Sequence, residues 1–388
     1  MKYTLCLNMI VKNEAHCIVK TLTQLCSKFD FDYWVICDTG STDQTKELIR
    51  EFFKGKIEGE LHEDLWVDFG HNRSLALDYA YQKTDYLLIF DADDSIVGNL
   101  MLPESFDHDS YSFQFGNGIT HHRTLLIQNR KHWRFVGVLH EYLECLETNV
   151  TTTLKGDYYV VSGRHGNRNK DPKKYEKDAA ILEIAYAEAF FKKDPISSRY
   201  SFYCANSYRD ANQLDKAIHW YQHTLTLDNW KQEKYVCCLN LHQLYVKQKT
   251  PEQGFYYLLE SYKYDKTRVE GIYVLIQHYC IQKENDMAFS FYQWIQPYYE
   301  NPNESSNRLF VDEPIYTFYL PYYMIIVCER LKKYELGLKM YEILFEKRAK
   351  VGEWWIKNLM YNLKFFIDKS DDSFREKLDR YKTWMNIV

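Results

Sequence analysis

The chain has 388 residues, with 49 lysines and arginines against 54 acids and a formal charge of −5. An apolar share of 46%, with only 8 prolines and 15 glycines, excludes a disordered polymer and suffices to core two domains. The charges are interspersed and offer no broad basic face, so neither nucleic acid nor an anionic membrane surface is an expected partner.

The opening run MKYTLCLNMIVKNEA lacks a small-x-small cleavage site and reads as a first strand, 3–11, rather than a leader. No later run approaches the roughly 18 to 20 apolar residues of a membrane span. A helix is predicted over 14–27 and a second strand over 33–37, ending at Asp38-Thr39-Gly40-Ser41-Thr42-Asp43. Ser41 or Thr42 can cap the helix predicted over 44–53. Another helix is predicted over 71–82, then an all-apolar strand, Tyr86-Leu87-Leu88-Ile89-Phe90, running into Asp91-Ala92-Asp93-Asp94. Strands alternating with helices predict parallel strands joined by helical crossovers over residues 1–170. In such sheets ligands sit outside the carboxyl ends of the strands, where both polar clusters fall.

From about 171 helical periodicity takes over, so an all-α second domain is predicted over 171–388. Ala217-Ile218-His219-Trp220-Tyr221, Gly254-Phe255-Tyr256-Tyr257-Leu258 and Ala288-Phe289-Ser290-Phe291-Tyr292 repeat at offsets of about 37 and 34 residues. A tyrosine lies nine positions before each, at Tyr208, Tyr245 and Tyr279, and Gly337 begins a fourth, degenerate copy. These offsets bracket the tetratricopeptide period of paired helices. The ten cysteines show no CxxC spacing and lie mostly in apolar runs, which fits small hydrophobes in a reducing cytoplasm.

Two carboxylates one residue apart at a strand end can hold a divalent cation and, through it, a diphosphate. The sequence has three such pairs, Asp30/Asp32, Asp91/Asp93 and Asp107/Asp109, and only Asp91 follows an all-apolar strand. Taken singly, Arg73 reads as a surface arginine on the polar side of its helix, and the 38–43 cluster as a capped turn.

Taken in order, Met9-Ile10-Val11-Lys12-Asn13-Glu14, Asp38-Thr39-Gly40-Ser41-Thr42-Asp43, Asp68-Phe69 with Arg73, Asp91-Ala92-Asp93-Asp94 and Gly137-Val138-Leu139-His140-Glu141 resemble family 2 glycosyltransferases of the GT-A fold. The branch resembled carries a tetratricopeptide-like tail, and the likeness runs over roughly residues 5–300. It implies a Rossmann-like, mostly parallel sheet followed by an all-α repeat domain, and an inverting sugar transfer from a nucleotide sugar, most often a UDP-sugar. By the same resemblance Asn13 and Glu14 border the nucleoside, Asp38 meets the base or ribose, and Arg73 faces the diphosphate. Asp91 approaches the ribose or the metal, Asp93 is the surer ligand of Mn²⁺ or Mg²⁺, and His165 is a further metal ligand, with His121-His122 in competition. Glu141 stands where the family's general base is expected, in a His-Glu form rather than an acid pair, with His140 as its neighbour or a phosphate contact. The run from Arg164 through Arg168 and Lys170 to Lys174 would close a basic lid.

Two other classes compete with this reading. One is a repeat scaffold that has lost turnover but retains nucleotide affinity, with a protein partner or self-association through the helices; the retained Arg73, Asp91, Asp93 and Glu141 argue against it. The other is a sugar nucleotidyltransferase, which needs a Gly-rich basic loop after strand one, and Val11-Lys12-Asn13-Glu14-Ala15 has no glycine. Neither the sugar nor the acceptor, whether glycan, protein or lipid-linked, follows from these motifs.

Overall fold

The fold is given by a computed structural model, which describes residues 3–163, 166–300, 307–349 and 351–385. The chain opens with β1 (Leu5–Val11), α1 (Ile18–Lys28), β2 (Tyr33–Asp38), α2 (Thr45–Phe53), β3 (Glu58–Glu63), α3 (Phe69–Ala80) and β4 (Tyr86–Ile89). β3, β2, β1 and β4 pair in that order, all parallel. β4 is apolar throughout, and β1 apart from Asn8, whose amide donates to the Ala76 carbonyl at 2.8 Å, because helices cover both faces of a parallel sheet. One face buries Leu5, Leu7, Met9 and Leu88 with Ile18, Leu22 and Ile49, and the other Cys6, Val35, Leu87 and Ile89 with Ala76 and Ala80.

Beyond β4 the helical crossovers expected up to residue 170 are not found among the described residues, and the mostly parallel sheet becomes mixed. β5 (Ser95–Met101), β6 (Ser110–Phe115), β7 (Ile119–Gln128), β8 (Trp133–Val136), β9 (Tyr142–Cys145), β10 (Thr151–Thr153) and β11 (Lys155–Val161) follow with no helix between them. β7 pairs antiparallel with β4 and β6, and β11 antiparallel with β5, whereas β6 is parallel to β10 and β11, and β8 and β9 form a separate hairpin. The β6–β7 connection is too short for a crossover, and Gly116 takes the positive φ of 75° that such a turn requires.

The helix predicted at 44–53 begins at Thr45, and its start is held differently from expectation. Asp43 Oδ1 accepts the Thr45 N–H at 3.0 Å, whereas Ser41 Oγ accepts the Asn13 N–H at 2.8 Å and the Thr42 N–H goes to Asn13 Oδ1. The two hydroxyls therefore tie the loop after β1 to the loop after β2.

Among the described residues, the secondary structure after β11 is helical apart from a two-residue bridge at Val311–Asp312. α4 (Lys174–Phe191), α5 (Ile196–Asp210) and α6 (Leu214–Thr226) complete a first compact unit, residues 1–229 with 306–309; a second comprises 230–305 and 310–388. The change of secondary structure at about 170 and the division of the chain into units at 229/230 are thus separate events. α5 belongs with the sheet because Tyr200 OH accepts the Val138 N–H at 3.1 Å and Arg199 Nε donates to the His140 carbonyl at 2.9 Å. A fragment 1–229 is expected to give one cooperative melt by circular dichroism. Ending at 195 removes buried Tyr200, Phe202, Cys204 and Ala205 and should lower Tm by roughly 10 °C or more, or leave the fragment insoluble. Equal melts for the two fragments would show that α5 adds nothing to the sheet.

The second unit contains α7 (Lys231–Lys247), α8 (Pro251–Tyr264), α9 (Glu270–Ile281), α10 (Asn285–Glu300), α11 (Leu320–Arg330), α12 (Tyr334–Lys347), α13 (Glu353–Leu363) and α14 (Asp372–Trp384). The repeated small residues Ala217, Gly254, Ala288 and Gly337 are buried on α6, α8, α10 and α12, and Tyr208, Tyr245 and Tyr279 lie on α5, α7 and α9. A Cβ at Gly254 would stand 2.7 Å from His242 Nδ1, so the small residue permits the approach of α7 and α8. Arg268 and Glu270, both fully buried, pair at 2.6 Å, and Gln232 and Tyr235 satisfy their remaining polar atoms. All ten cysteines are free.

Candidate active site

β1 stands between β2 and β4, so the chain changes direction across the sheet at β1 and leaves a crevice at the strands' carboxyl ends. A cleft of about 810 Å³ occupies this place. It is lined by Lys12 and Glu14 after β1, Thr39 after β2, and Asp91, Asp93 and Asp94 after β4. Arg73, Arg168 and Lys174 add positive charge to its walls.

Arg73 is set in place by the start of α3. Asp68 Oδ1 accepts the His71 N–H at 2.7 Å as the helix cap, and the Gly70 N–H donates to the Gly137 carbonyl at 3.1 Å. A Cβ at Gly70 would lie 2.5 Å from that carbonyl, so only glycine lets α3 come this close to the 137–141 segment. One turn on, Arg73 Nε donates to Glu141 Oε1 at 2.7 Å and Nη2 to Asp91 Oδ1 at 2.5 Å, with 8% of its side chain exposed. Burial disfavours its charge, but Asp91 and then Glu141 outweigh burial and hold the guanidinium above its ordinary pKa.

Arg123 of β7 reaches within 3.8 Å of Asp91 Oδ2, so both oxygens of this carboxylate face arginines. Burial would raise Asp91, yet Arg73 and Arg123 hold it below the ordinary carboxylate range. Its neighbours are shifted the other way. Burial, and less strongly the charge of Asp91, raise Asp93, and the same two causes push Asp94 up to about 7. Asp91, Asp93 and Asp94 bring carboxylate oxygens together in the cleft, and such oxygen donors suit a hard divalent cation.

The segment after β11 lies against these acids. The Gly163 N–H donates to Asp94 Oδ1 at 2.9 Å and the Gly166 N–H to Asp93 Oδ2 at 3.0 Å, and a Cβ at Gly163 would collide with the Asp93 carbonyl. The glycines therefore serve close approach; His165 and Arg164 between them lie outside the described residues. Within the expected basic run, Arg168 and Lys174 line the cleft, and Arg168 is paired with Asp178 and lies over the Phe69 ring.

Of the residues singled out in the sequence, Glu14, Arg73, Asp91 and Asp93 share the cleft. Asn13, at a positive φ of 58°, ties two loops together beside it. Asp38 is buried behind Thr39; its Oδ1 accepts the Gly40 and Ser41 N–H groups, while its buried Oδ2 has no partner among the described residues. His140 stacks on Tyr203 with centroids 4.2 Å apart, and Glu141 is 9% exposed behind Arg73; neither lines the cleft. His121 stacks on Phe115, and burial, then Arg123, lower its pKa to about 4. The other DxD pairs are structural: Asp32 accepts the Leu5 N–H, and Asp109 pairs with Lys131. Among the described residues, Glu14, His16 and Cys17 bring ligand atoms within 4.8 Å of one another.

Reading Arg73 as a surface arginine is corrected: it is buried because Asp91 and Glu141, 18 and 68 positions away, converge on it. Arg123 escaped the sequence reading altogether, having as its only signal a place in an alternating strand beside His121-His122.

Residues 6–104 match the family model described as glycosyl transferase family 2. No curated protein matches the chain. Among solved structures, TarS 1–349 of S. aureus is 10% identical with a TM-score of 0.32, over 78% of this chain and 93% of that one. The mannosyltransferase PcManGT of Pyrobaculum calidifontis, solved in complex with GDP-Man and Mn²⁺, is 12% identical with a TM-score of 0.36, over 67% of this chain and 87% of that one. The stretch similar to family 2 glycosyltransferases, residues 6–104, spans the first five strands and the Asp91–Asp93 pair at the end of β4.

Proposed function

We propose that the cleft binds a nucleotide sugar, a UDP-sugar by the family resemblance, and that the sugar passes with inversion to an acceptor hydroxyl. The observation that carries this reading is the joining of Asp91, Asp93 and Arg73 in one cleft at the carboxyl end of the family-matched sheet. Asp93, with Asp91 beside it, is the group to hold Mn²⁺ or Mg²⁺. A divalent cation there would neutralise the charge that develops on the departing nucleoside diphosphate.

Around it the chain's own residues divide the work. Arg73 presents a planar fork of donors to phosphate oxygens, with Asp91 and Glu141 fixing its direction. Arg168, Lys174 and Lys12 add positive charge along the path of the diphosphate. Asp38 Oδ2, without a partner among the described residues, is an acceptor awaiting a ribose hydroxyl or a base N–H. Glu141 holds Arg73, so the acceptor proton falls to a carboxylate that lines the cleft. The helices after β11 carry the tetratricopeptide-like role of orienting an acceptor or a partner, in a reducing compartment that keeps the cysteines free.

A panel of nucleotide sugars in a thermal-shift assay, with and without Mn²⁺, tests the reading. One donor should raise Tm by several degrees in the presence of Mn²⁺ and markedly less in EDTA. If no nucleotide or nucleotide sugar shifts the melt in either condition, the transferase reading falls.

A further inference from the structure

The cleft changes character along its length. Its inner end holds charges of both signs, Lys12, Glu14, Asp91, Asp93, Arg168 and Lys174. Its apolar walls are Trp66 and Val67 before α3 and Ile181, Ile184 and Ala185 on α4, with Asp68 and Glu188 the charged side chains beside them. Ile184 is 64% exposed, Val67 57% and Ile181 46%, an arrangement that leaves large apolar surface in water inside a cavity. The stripe continues along the same face of α4: Phe191, seven residues beyond Ile184, is 90% exposed. From Ile181 to Phe191 it runs about 15 Å, at 1.5 Å per residue. α4 starts at Lys174, whose charge interacts with that of Asp93, so the stripe leads outward from the charged end.

We infer that this slot takes the acceptor of the proposed transfer, an amphiphile whose hydroxylated head lies among the charged groups and whose alkyl chain lies along α4 between Ile181, Ile184 and Trp66. The inference rests on the transferase reading for what happens to the head, though not for the binding of the chain. Polarity complementarity selects the occupant: a cluster of charged groups continuous with an exposed wall of Trp66, Val67, Ile181 and Ile184, which Asp68 and Glu188 border, matches a polar head on an alkyl tail. A polypeptide strand fits less well, because its backbone N–H and C=O groups would face isoleucine, valine and alanine side chains and lose their partners.

The full chain can be titrated by calorimetry with glycosides of one sugar carrying methyl, octyl, decyl or dodecyl groups, below their micelle concentrations. The methyl glycoside should bind weakly or not at all, and affinity should then rise about three- to fourfold per added methylene. Ile184→Asp, at a side chain already in water, should keep its Tm and lose at least about tenfold in dodecyl-glycoside affinity, while Leu146→Asp, at an exposed site outside the cleft, should change nothing. Affinity independent of chain length, or an equal loss in both variants, would overturn the inference. So would preferential binding of apolar peptides, or a dimer abolished by Ile184→Asp, either of which assigns the slot another occupant. Donor-induced stabilisation is measured separately: its absence beside chain-length-dependent binding sinks the transferase reading alone, and the reverse pattern sinks the slot alone.

Discussion

Asp93→Asn is expected to lower sugar transfer by roughly 10²- to 10³-fold, since a carboxylate ligand of a charge-neutralising cation contributes several kcal/mol to the transition state. The fold should survive. Asn keeps an oxygen to accept the Gly166 N–H, and the change removes one negative charge from three crowded carboxylates. The sign of the stability effect follows from the shift of Asp93, which burial and Asp91 raise. An acid with a folded pKa above its ordinary value costs stability once pH exceeds the ordinary value, because the folded state resists ionisation. The neutral variant escapes that cost, so near neutral pH its Tm should equal or slightly exceed the parent's. Transfer rates with and without EDTA, read beside the melts, check both halves. Full activity in excess EDTA would remove the metal from the proposal, and a large drop in Tm would make Asp93 a structural acid.

Much of this site could be read before the fold because its signals are local. An all-apolar run ending in Asp91-Ala92-Asp93 marks a buried strand entering a polar loop, and that context separates it from Asp30/Asp32 and Asp107/Asp109, whose acids bind a neighbouring strand and a lysine. The α/β half followed by an all-helical half was likewise legible from a change of periodicity. Interactions between distant positions were not. Nothing near Arg73 announces that Glu141, 68 residues on, will accept from its Nε. A strand's neighbours are equally absent from its own sequence, so the antiparallel half of the sheet, and Arg123 with it, could not be deduced from alternation alone. The exposed apolar wall of α4 looked like ordinary core periodicity, and only the fold shows that Ile181 and Ile184 face a cleft.

Glu141→Gln decides between two roles for this acid, the base expected by resemblance and the holder of Arg73 indicated by the ion pair. A base is needed only for the transfer step, so its loss would lower kcat by roughly 10²-fold or more, leave donor affinity within a few-fold and abolish the acidic limb of the pH–rate profile. A holder acts through Arg73. Gln can still accept from Nε, but as a neutral group it gives up the stronger, charge-assisted bond and lets the guanidinium stray from its line to the diphosphate. The expected result is therefore a rise in donor KM and a fall of about tenfold in kcat/KM, with the acidic limb unchanged and about 1–3 kcal/mol lost in stability. Arg73→Met goes further, leaving Asp91 and Glu141 without their shared partner where the side chains are 25% and 9% exposed. Breaking a buried pair in this way costs about 3–5 kcal/mol, so that variant should melt far below the parent near neutral pH and recover part of the difference as acid protonates Asp91, which Arg73 holds low in the parent. Lost transfer in Glu141→Gln with donor KM intact and the acidic limb gone would return the base to Glu141 and leave Asp91 as the acid that orients Arg73.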